Sequence, residues 1–163
     1  QSGTVHVHDE LLLLPANGAG SAKSLQVMDD DVSSASAGDR VGLALRNAKE
    51  EHLTGSTLIV RPAIEDKRTN TTVPLAVEQH ATSEVNLSTS PFQKRALAVG
   101  DVIHASVDLQ FVVGRITSVD GSKLEVTWES PLFIRTTNPP QVLIAQLDSK
   151  PRIMGSATIQ KHA

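Results

Sequence analysis

The segment Ala37-Gly38-Asp39-Arg40-Val41-Gly42-Leu43-Ala44-Leu45-Arg46-Asn47 indicates the fold of this 163-residue chain more clearly than any other. Gly38 and Asp39 predict a turn, because glycine tolerates positive φ and an aspartate side chain hydrogen-bonds to its own backbone. Residues 40–45 then alternate as in a β-strand. One face of this strand is branched and apolar, with Val41, Leu43 and Leu45. The opposite face is small, with Arg40, Gly42 and Ala44, and it predicts close approach by another backbone.

A polar and acidic excursion follows this strand over residues 47–54. Gly55 is expected to turn the chain into another strand at residues 57–60. Gly38, Gly42 and Gly55 are therefore predicted to be structural residues, two of them at turns and Gly42 at the close approach.

Together with two upstream segments, this pattern resembles the second domain of translational GTPases, a family that includes elongation factor Tu, the selenocysteine-specific elongation factor and initiation factor two gamma. Residues 3–11, Gly-Thr-Val-His-Val-His-Asp-Glu-Leu, resemble the family's Gly-x-Val-x-Val-Gly-Asp-x-Leu segment, and residues 23–27 resemble its next strand. The resemblance implies that residues 1–61 form a β-barrel lacking its first strand, a gap that a neighbouring chain could fill. It also implies an upstream nucleotide-binding domain, so we expect a C-terminal fragment of a longer protein rather than an end left by processing.

The second half of the chain resembles the third domain of the same proteins, which is another β-barrel. The resemblance is carried by residues 100–104, 113–119 and 151–156. It implies a second barrel at residues 75–163, as in the selenocysteine-specific and initiation factor two gamma branch. A group of archaeal proteins with a degenerate nucleotide site is similar as well. Residues 62–74, with a proline and a charged run, are expected to form a linker.

The strand pattern alone predicts the same all-β class. Many short apolar strands between Gly and Pro turns favour two small Greek-key-like β-barrels in tandem. Asp120-Gly121 is the strongest hairpin signal. Composition also predicts loops at residues 15–20 and 29–31, and residues 90–97 fit either a loop or a helical turn. Short strands are expected at residues 75–78 and 84–87.

Composition limits the classes of function. The net charge is −3 and the sequence pI is about 6.1, so an overall basic signature for nucleic acid is missing and DNA is not an expected partner. Aromatic residues make up only 2% of the chain, which leaves few platforms for base stacking. The chain has no cysteine for disulfides or thiolate metal sites, and no apolar run of membrane-spanning length. We expect a cytoplasmic protein with no membrane partner.

The sequence lacks the motifs of nucleotide hydrolysis and of common hydrolases. It contains no Gly-x-x-x-x-Gly-Lys-Ser/Thr, no Gly-x-Ser-x-Gly and no His-Glu-x-x-His. We therefore predict that this chain is not an enzyme and holds no cofactor, with GTP bound by an upstream GTPase-like domain. His6 and His8 could bind a metal with a nearby carboxylate, but a surface pair without function is favoured and no metal site is predicted.

The family resemblance implies where RNA would bind. In elongation factor Tu, the second barrel holds the 3′ end of aminoacyl-tRNA, and an acidic residue of the polar excursion lies against the terminal adenosine. The matching stretch here is residues 47–55. It makes Glu51, and then Glu50, the candidate carboxylate, with His52 and Arg46 beside it. A carboxylate accepts a hydrogen bond from a ribose hydroxyl, which is the chemistry that such a pocket needs.

The acidic residues of the excursion and the basic residues of the second half could each be ordinary surface charges instead of RNA contacts. The excursion could be an ordinary exposed loop. Asn47 stands where the family usually has glycine, and asparagine can also adopt positive φ. Contacts to the tRNA backbone would come from basic residues of the second half, which could equally be ordinary surface charges: Lys94, Arg95, Arg115, Lys150, Arg152 and Lys161. The expected partners are tRNA or the ribosome beside an upstream GTPase-like domain. The alternative function is a protein-interaction scaffold of the initiation factor two gamma type.

Overall fold

The computed structural model describes residues 2–161 and divides the chain into two compact units, the first ending at Ala76 and the second beginning at Val77. Within the described residues, the one helical element is a three-residue 3-10 turn at Glu50–His52. The rest is strand and connecting loop, which confirms the all-β class and the tandem barrel architecture. No helix within residues 2–161 is long and apolar enough to cross a membrane.

The first unit is built from short antiparallel strands. They are β1 (Thr4–His6), β2 (Glu10–Leu14), β3 (Gly18–Val27), β4 (Asp30–Val32), β5 (Ser34–Ser36), β6 (Val41–Arg46), β7 (Leu58–Val60), β8 (Ile64–Asp66) and β9 (Thr71–Val73). The main sheet has the order β6-β3-β2-β7, and β4 also pairs with the end of β3. β1 pairs with β5, and β8 pairs with β9. The main sheet forms a half-barrel.

The long strand β3 organises this half-barrel, because it pairs with β2 along its first part and with β6 along most of its length. The buried apolar side chains of the first unit are Leu11, Leu13, Leu14, Ala22, Leu25 and Ala35. β6 alternates as predicted, but its apolar face is only half-buried along its whole length. The apolar core therefore centres on β2 and β3 and thins towards β6.

The loop expected over residues 15–20 is wrong in its second half. β3 begins at Gly18, which pairs with Leu13 of β2. Composition suggested a loop because this stretch carries two glycines and a proline. Gly18 and Gly20 instead belong to β3, where they leave space for the segment that carries Ala48 and His52.

The acidic segment at residues 29–31 also differs from the expected loop. Met28 and Asp29 adopt positive φ, 52° and 70°, and make a tight turn between β3 and β4. Asp31 lies in β4 and accepts a hydrogen bond from Gln26 Nε2 at 2.9 Å. Only part of the segment is therefore a turn, and the rest is a paired strand.

The segment expected to be a linker, residues 62–74, contains the hairpin of β8 and β9. Asp66 shapes its turn by accepting hydrogen bonds from the backbone N–H groups of Arg68 at 2.9 Å and Thr69 at 3.4 Å. Hydrogen bonds from the Thr69 side chain and the Arg68 backbone lower the pKa of the Asp66 carboxyl. Short threonine-rich strands with few apolar residues give little period-2 signal, so composition alone indicated an irregular connection.

The second unit is a closed antiparallel barrel. Its strands are β10 (Val77–Thr89), β11 (Val102–Val107), β12 (Gln110–Asp120), β13 (Lys123–Arg135), β14 (Val142–Ala145) and β15 (Ile153–Lys161). They close in the order β10-β13-β12-β11-β14-β15, with β15 pairing back to β10. The predicted hairpin at Asp120-Gly121 joins β12 to β13, and Gly121 has φ 59°.

Closure gives the second unit a continuous core. Its fully buried side chains are contributed by every strand of the barrel and include Val85, Ile103, Ile116, Leu124, Val126, Leu132, Val142, Ile144 and Met154. The buried apolar side chains are mostly aliphatic, as the low aromatic content predicts, and the two aromatic ones are Trp128 and Phe133. Gly114 lies against the Trp128 ring: a Cβ at this position would be 2.5 Å from Trp128 Cε3 and 2.6 Å from Val126 Cγ1.

Three buried side chains of this barrel, Trp128, Ser83 and His80, are linked by hydrogen bonds. Trp128 Nε1 donates a hydrogen bond to Ser83 Oγ at 2.8 Å, and Ser83 Oγ lies 2.9 Å from His80 Nδ1. His80 Nε2 is buried without a hydrogen-bond partner, 3.8 Å from Glu78 Oε2. Burial lowers the pKa of His80 below its ordinary value of 6.5; the nearby Glu78 charge opposes this shift and Lys161 adds to it. Burial therefore favours the neutral form of His80, whose Nδ1 can accept a hydrogen bond from the Ser83 hydroxyl.

Two strand predictions for the second unit need correction. The short strands expected at residues 75–78 and 84–87 are parts of one long strand, β10. β10 has an irregular register between His80 and Thr82, and that irregularity interrupts the period-2 pattern in the sequence. Residues 90–97 form turn and loop with no helix.

Candidate functional site

The predicted RNA-binding excursion begins where β6 ends. Asn47 has φ 60°, the left-handed conformation expected for a residue that replaces glycine. The chain then reverses into the 3-10 turn, in which the N–H of His52 donates to the Lys49 carbonyl at 3.0 Å and that of Leu53 to the Glu50 carbonyl at 2.9 Å. These local bonds give the excursion a defined backbone.

The turn packs on the glycine end of β3. A Cβ at Gly18 would collide with the His52 ring, with Cγ only 2.9 Å away. A Cβ at Gly20 would lie 3.3 Å from Ala48 Cβ. Because Gly18 and Gly20 have no side chains, the excursion can lie directly against this end of β3. This contact fixes the position of the 3-10 turn relative to the sheet.

Glu51 is the central charge of the turn. Its Oε1 lies 3.5 Å from Lys49 Nζ and 3.7 Å from His52 Nε2. The Glu51 side chain is 70% exposed, whereas that of His52 is 24% exposed. The carboxylate therefore remains available to a partner while the imidazole anchors the turn. His52 Nδ1 is buried beside Gly18 and has no hydrogen-bond partner.

The structure brings only part of the predicted site together. Glu51 and His52 are in contact, and Glu50 is exposed on the same turn. Arg46 is the last residue of β6, opposite Ser21 of β3, and its side chain is exposed. Within the described residues, no ion pair joins Arg46 to either carboxylate. The carboxylates and the imidazole thus form one cluster, with Arg46 at the end of the neighbouring strand.

Sequence reasoning missed Gly18 and Gly20, which determine where the turn lies. The available signal was the recurrence of small residues at every second position, Gly18, Gly20 and Ala22. In a strand this spacing places all three on one face. Reading the stretch as a loop concealed that face.

The three predicted structural glycines differ in role. Gly38 has φ 103°, as a turn glycine requires, and Gly55 lies in the turn before β7. Gly42 is exposed, and a Cβ there would be 3.6 Å from Gln26 Cβ, an ordinary van der Waals distance. The close approach predicted at Gly42 is therefore wrong, because within residues 2–161 no other segment covers this face of β6. The close approach in the first unit occurs at Gly18.

The second unit gathers several of the candidate basic residues through one glutamine. Gln93 Nε2 donates to the carbonyl of Pro151 at 2.9 Å and lies 3.4 Å from that of Ile153. Gln93 Oε1 accepts hydrogen bonds from the backbone N–H groups of Lys94 at 3.0 Å and Arg95 at 3.2 Å. Lys94 and Arg95 are thereby held next to the segment that carries Lys150 and Arg152.

Three of the candidate arginines of the second unit form an ion pair or a hydrogen bond within the unit. Arg95 pairs with Asp101 at 2.8 Å, Arg115 donates to the Gly100 carbonyl at 2.9 Å, and Arg152 donates to the Leu147 carbonyl at 3.1 Å. All three side chains belong to exposed residues. Lys161 lies at the end of β15, paired with Ser83 of β10, and so belongs to another part of the barrel.

The histidine pair of the first unit is not held as two neighbours on one strand face. β1 ends at His6, and His8 lies in the following turn with φ 76°. The His6 N–H donates to Asp9 Oδ2 at 2.8 Å, and His6 Nδ1 lies 3.6 Å from the same oxygen. These contacts describe a turn closed by Asp9.

Comparisons with known proteins found two similar sequences and several solved structures with the same fold. No protein-family model matches the chain. The chain is 28% identical over 132 residues to an uncharacterized protein of Methanocaldococcus jannaschii, a match that covers 81% of this chain and 39% of that protein. It is 49% identical over 51 residues to the selenocysteine-specific elongation factor of the same organism, covering 31% of this chain and 11% of that factor. The chain thus corresponds to well under half the length of these relatives.

Solved structures share the fold over nearly the whole chain. The translation elongation factor SelB from Methanococcus maripaludis, in its apo form, superposes with a TM-score of 0.77 at 22% identity, covering 99% of this chain and 37% of the other. A bacterial selenocysteine-specific elongation factor, EF-Sec, gives a TM-score of 0.74 at 18% identity, with 96% and 23% covered. These structures show that the fold is shared. Together with the 49% identical stretch, they confirm the predicted resemblance to the β-barrels of the selenocysteine-specific elongation factor.

Proposed function

We propose that this chain is the tandem-barrel part of an elongation-factor-like protein and binds the acceptor end of tRNA through the Glu50–His52 turn. The observation that carries the proposal is the packing of this turn on Gly18 and Gly20, which presents exposed carboxylates on a fixed backbone. Preorganisation matters because an ordered binding group loses less conformational entropy when a ligand arrives.

In this proposal, Glu51 accepts a hydrogen bond from a ribose hydroxyl of the terminal nucleotide. Lys49 and His52, each within 4 Å of its carboxylate, restrict the side chain, and the Lys49 ammonium reduces the local negative charge. This reduction is useful because an unpaired carboxylate repels nearby phosphates. Glu50 is the second acceptor on the turn, and Arg46 offers a cation to the phosphate backbone.

The basic residues that Gln93 brings together would supply contacts to the tRNA backbone. Lys94 and Lys150 form no ion pair within the described residues, so their ammonium groups are available to phosphates. Such contacts are electrostatic and independent of sequence, and they weaken as salt rises. Because the net charge of the chain is −3, we expect weak overall affinity in which the acceptor-end contact decides selectivity.

The chain itself is proposed to bind no guanine nucleotide, since the sequence has no phosphate-binding loop. Titration calorimetry with GTP and GDP should give no heat of binding. A dissociation constant in the micromolar range would contradict this part of the proposal.

The acceptor-end contact is tested with two forms of one tRNA, intact and lacking the terminal adenosine, in filter binding at low salt. The wild-type chain should prefer the intact form. Glu51→Gln keeps the size of the side chain but weakens the hydroxyl acceptor, so it should remove most of that preference while leaving salt-sensitive background binding. Glu65→Gln, an exposed change of the same kind on β8, is the matched control and should keep the preference. Equal binding of both tRNAs by the wild-type chain would overturn the proposal.

One observation favours a second function, a protein-interaction scaffold. The outer face of the second barrel carries exposed apolar side chains, including Leu109 and Phe111 on the β11–β12 hairpin and Leu143 on β14. The Phe111 ring stacks on His104, with ring centroids 5.0 Å apart. Exposed apolar clusters of this kind mark protein contacts more often than RNA contacts. If the tRNA test fails, this face is the first candidate for a partner subunit.

A further inference from the structure

Phe92 is the most exposed of the phenylalanine and tryptophan residues. Its exposed fraction is 78%, whereas Phe111 is 55% exposed and its ring stacks on His104. Phe133 and Trp128 are buried in the second unit. Within the part of the chain that the structure describes, the Phe92 ring stacks on no other ring. Its apolar surface therefore lies in water and is free to contact a ligand.

The turn that carries Phe92 has a fixed backbone, and we call residues 90–95 the Phe92 turn. The Ser90 N–H donates to the Met154 carbonyl at 2.8 Å, and the Gln93 N–H donates to the Ser90 carbonyl at 3.0 Å. Gln93 Nε2 also lies 3.0 Å from Met154 Sδ. Because these bonds tie the turn to the start of β15, it is ordered before a ligand arrives and loses little conformational entropy on binding.

Basic side chains without a carboxylate partner accompany the ring. Lys94 follows Phe92 by two positions in the same turn. The hydrogen bonds of Gln93 join this turn to the segment that carries Lys150 and Arg152. Neither lysine forms an ion pair within the described residues. Arg152 donates to a backbone carbonyl, which leaves the charge of its guanidinium uncompensated.

The carboxylates of these two loops do not cancel that charge. Asp101 pairs with Arg95 at 2.8 Å, so these two side chains neutralise each other. Asp148 is the other carboxylate of the two loops, and it is exposed. The two lysines and Arg152 outnumber it. The surface around the Phe92 turn is therefore net positive, although the net charge of the whole chain is −3.

An exposed ring beside unpaired cations is the combination that single-stranded nucleic acid requires. A base stacks on the ring, and lysine and arginine contact the phosphates next to it. In a duplex the faces of the bases are covered by their neighbours, so only an unpaired base can reach the ring. Lysine is depleted at protein–protein interfaces, so the two lysines favour a nucleic acid over a protein partner.

We propose that Phe92 is a stacking platform for an unpaired nucleotide of a single strand, with Lys94, Lys150 and Arg152 contacting the neighbouring phosphates. The lysine contacts and the choice of RNA rest on the proposed function. The base contact is additional to it and needs nothing from the Glu50–His52 turn. The second unit then recognises unpaired RNA, whereas phosphate contacts alone would not distinguish paired from unpaired strands.

A 3′-phosphorylated RNA octamer without self-complementarity tests the proposal on the full 163-residue chain, with fluorescence anisotropy at low salt as the measurement. Its blocked end offers no terminal ribose diol to Glu51, so failure of the acceptor-end contact does not change the result. The wild-type chain should bind the octamer, and the Phe92 ring protons should shift in NMR spectra. Glu51→Gln should leave octamer binding unchanged. Binding without a shift of the Phe92 ring protons would overturn the proposal.

Substitutions of Phe92 separate stacking from a general apolar contact. Phe92→Ala should weaken octamer binding by about tenfold, because one stacked base is lost. Phe92→Leu keeps an apolar side chain but has no π face, so it should behave like Phe92→Ala. Phe92→Trp should keep or strengthen binding. Met28→Ala, which removes a 90% exposed apolar side chain from the first unit, is the matched control and should have no effect. Wild-type binding by Phe92→Leu would contradict stacking.

Two further ligands separate the base contact from charge alone. An RNA duplex of the same length should bind through its phosphates, with an affinity that does not change in Phe92→Ala. A peptide of eight glutamates should bind weakly, also without dependence on Phe92. If that peptide binds as tightly as the octamer and loses affinity in Phe92→Ala, the surface recognises an acidic protein segment and the nucleotide proposal is wrong.

The phosphate contacts are tested by removing both unpaired lysines. Lys94→Ala with Lys150→Ala should weaken octamer binding and reduce its dependence on salt, because fewer counterions are released. Lys23→Ala with Lys67→Ala removes two exposed lysines of the first unit and is the matched control, with no expected effect. An unchanged salt dependence in the first double variant would contradict the assignment of these lysines to the phosphates.

Discussion

The two units of this chain are made from similar strands but differ in closure. In the second unit, six strands close, every strand has two neighbours, and fully buried aliphatic side chains come from all around the barrel. In the first unit, β6 and β7 each have one neighbour within the described residues, and the apolar face of β6 is only half-buried. Comparison of the two units shows that the alternation of residues in the sequence determines which face of a strand is apolar. Closure of the barrel determines how deeply that face is buried.

Core truncation should show the largest difference between the units. Ile103→Ala in β11 removes a fully buried side chain and should cost about 2–5 kcal/mol of unfolding free energy. Leu43→Ala in β6 removes a half-buried one and should cost less than about 2 kcal/mol. Urea unfolding followed by the fluorescence of Trp128, the single tryptophan of the chain, reports the second unit. Exchange of β3 amides reports the first. Equal costs would contradict the difference in burial.

A matched pair of glycine substitutions should give the next largest effect. Gly114→Val places side-chain atoms where Trp128 and Val126 already lie, and overpacking of this kind costs roughly 1–3 kcal/mol. Gly42→Val meets only ordinary contacts on an exposed face and adds a residue that favours strands, so its effect should stay within about 0.5 kcal/mol. The two variants are compared by the same unfolding methods. A large loss in Gly42→Val would mean that the outer face of β6 is covered after all.

Acid should destabilise the second unit through His80. Its pKa in the folded protein lies below the ordinary value of 6.5, so the unfolded chain binds the proton more tightly. The stabilisation from keeping His80 neutral is thus complete above about pH 6.5 and is lost as the pH falls below it, with a slope of at most about 1.4 kcal/mol per pH unit for one proton. Trp128 fluorescence during urea unfolding at several pH values measures the slope. His80→Gln should reduce it, and His6→Gln, exposed in the first unit, should not.

Much of this architecture could be predicted from the sequence, and the exceptions have physical causes. β6 follows a clean period of two and was located within a residue of its ends. β10 was divided into two pieces because the irregular register near His80 breaks its alternation. The hairpin of β8 and β9 was missed because its strands are short and mostly polar.

The candidate site likewise has features that the sequence predicted and features that it did not. The excursion, its reversal at Asn47 and the candidate carboxylates could be named from the family resemblance and from residue chemistry. The packing of His52 on Gly18 could not, because it joins residues more than thirty positions apart and glycine in a sequence does not say what fills its space. Likewise, the basic residues of the second half looked scattered until Gln93 joined the two segments that carry four of them.

Amide hydrogen exchange measured by NMR on the chain alone tests the central contrast between an open first unit and a closed second unit most directly. In β12, Gly114 and Arg115 pair with strands on both sides, so their consecutive amides should both be protected. In β6 and β7, which have one neighbour each, protection should alternate, with about every second amide exchanging nearly as fast as in an unstructured peptide. Uniform protection along β6 and β7 in the monomeric chain would contradict the account, because it would require a second neighbouring strand beside each of them.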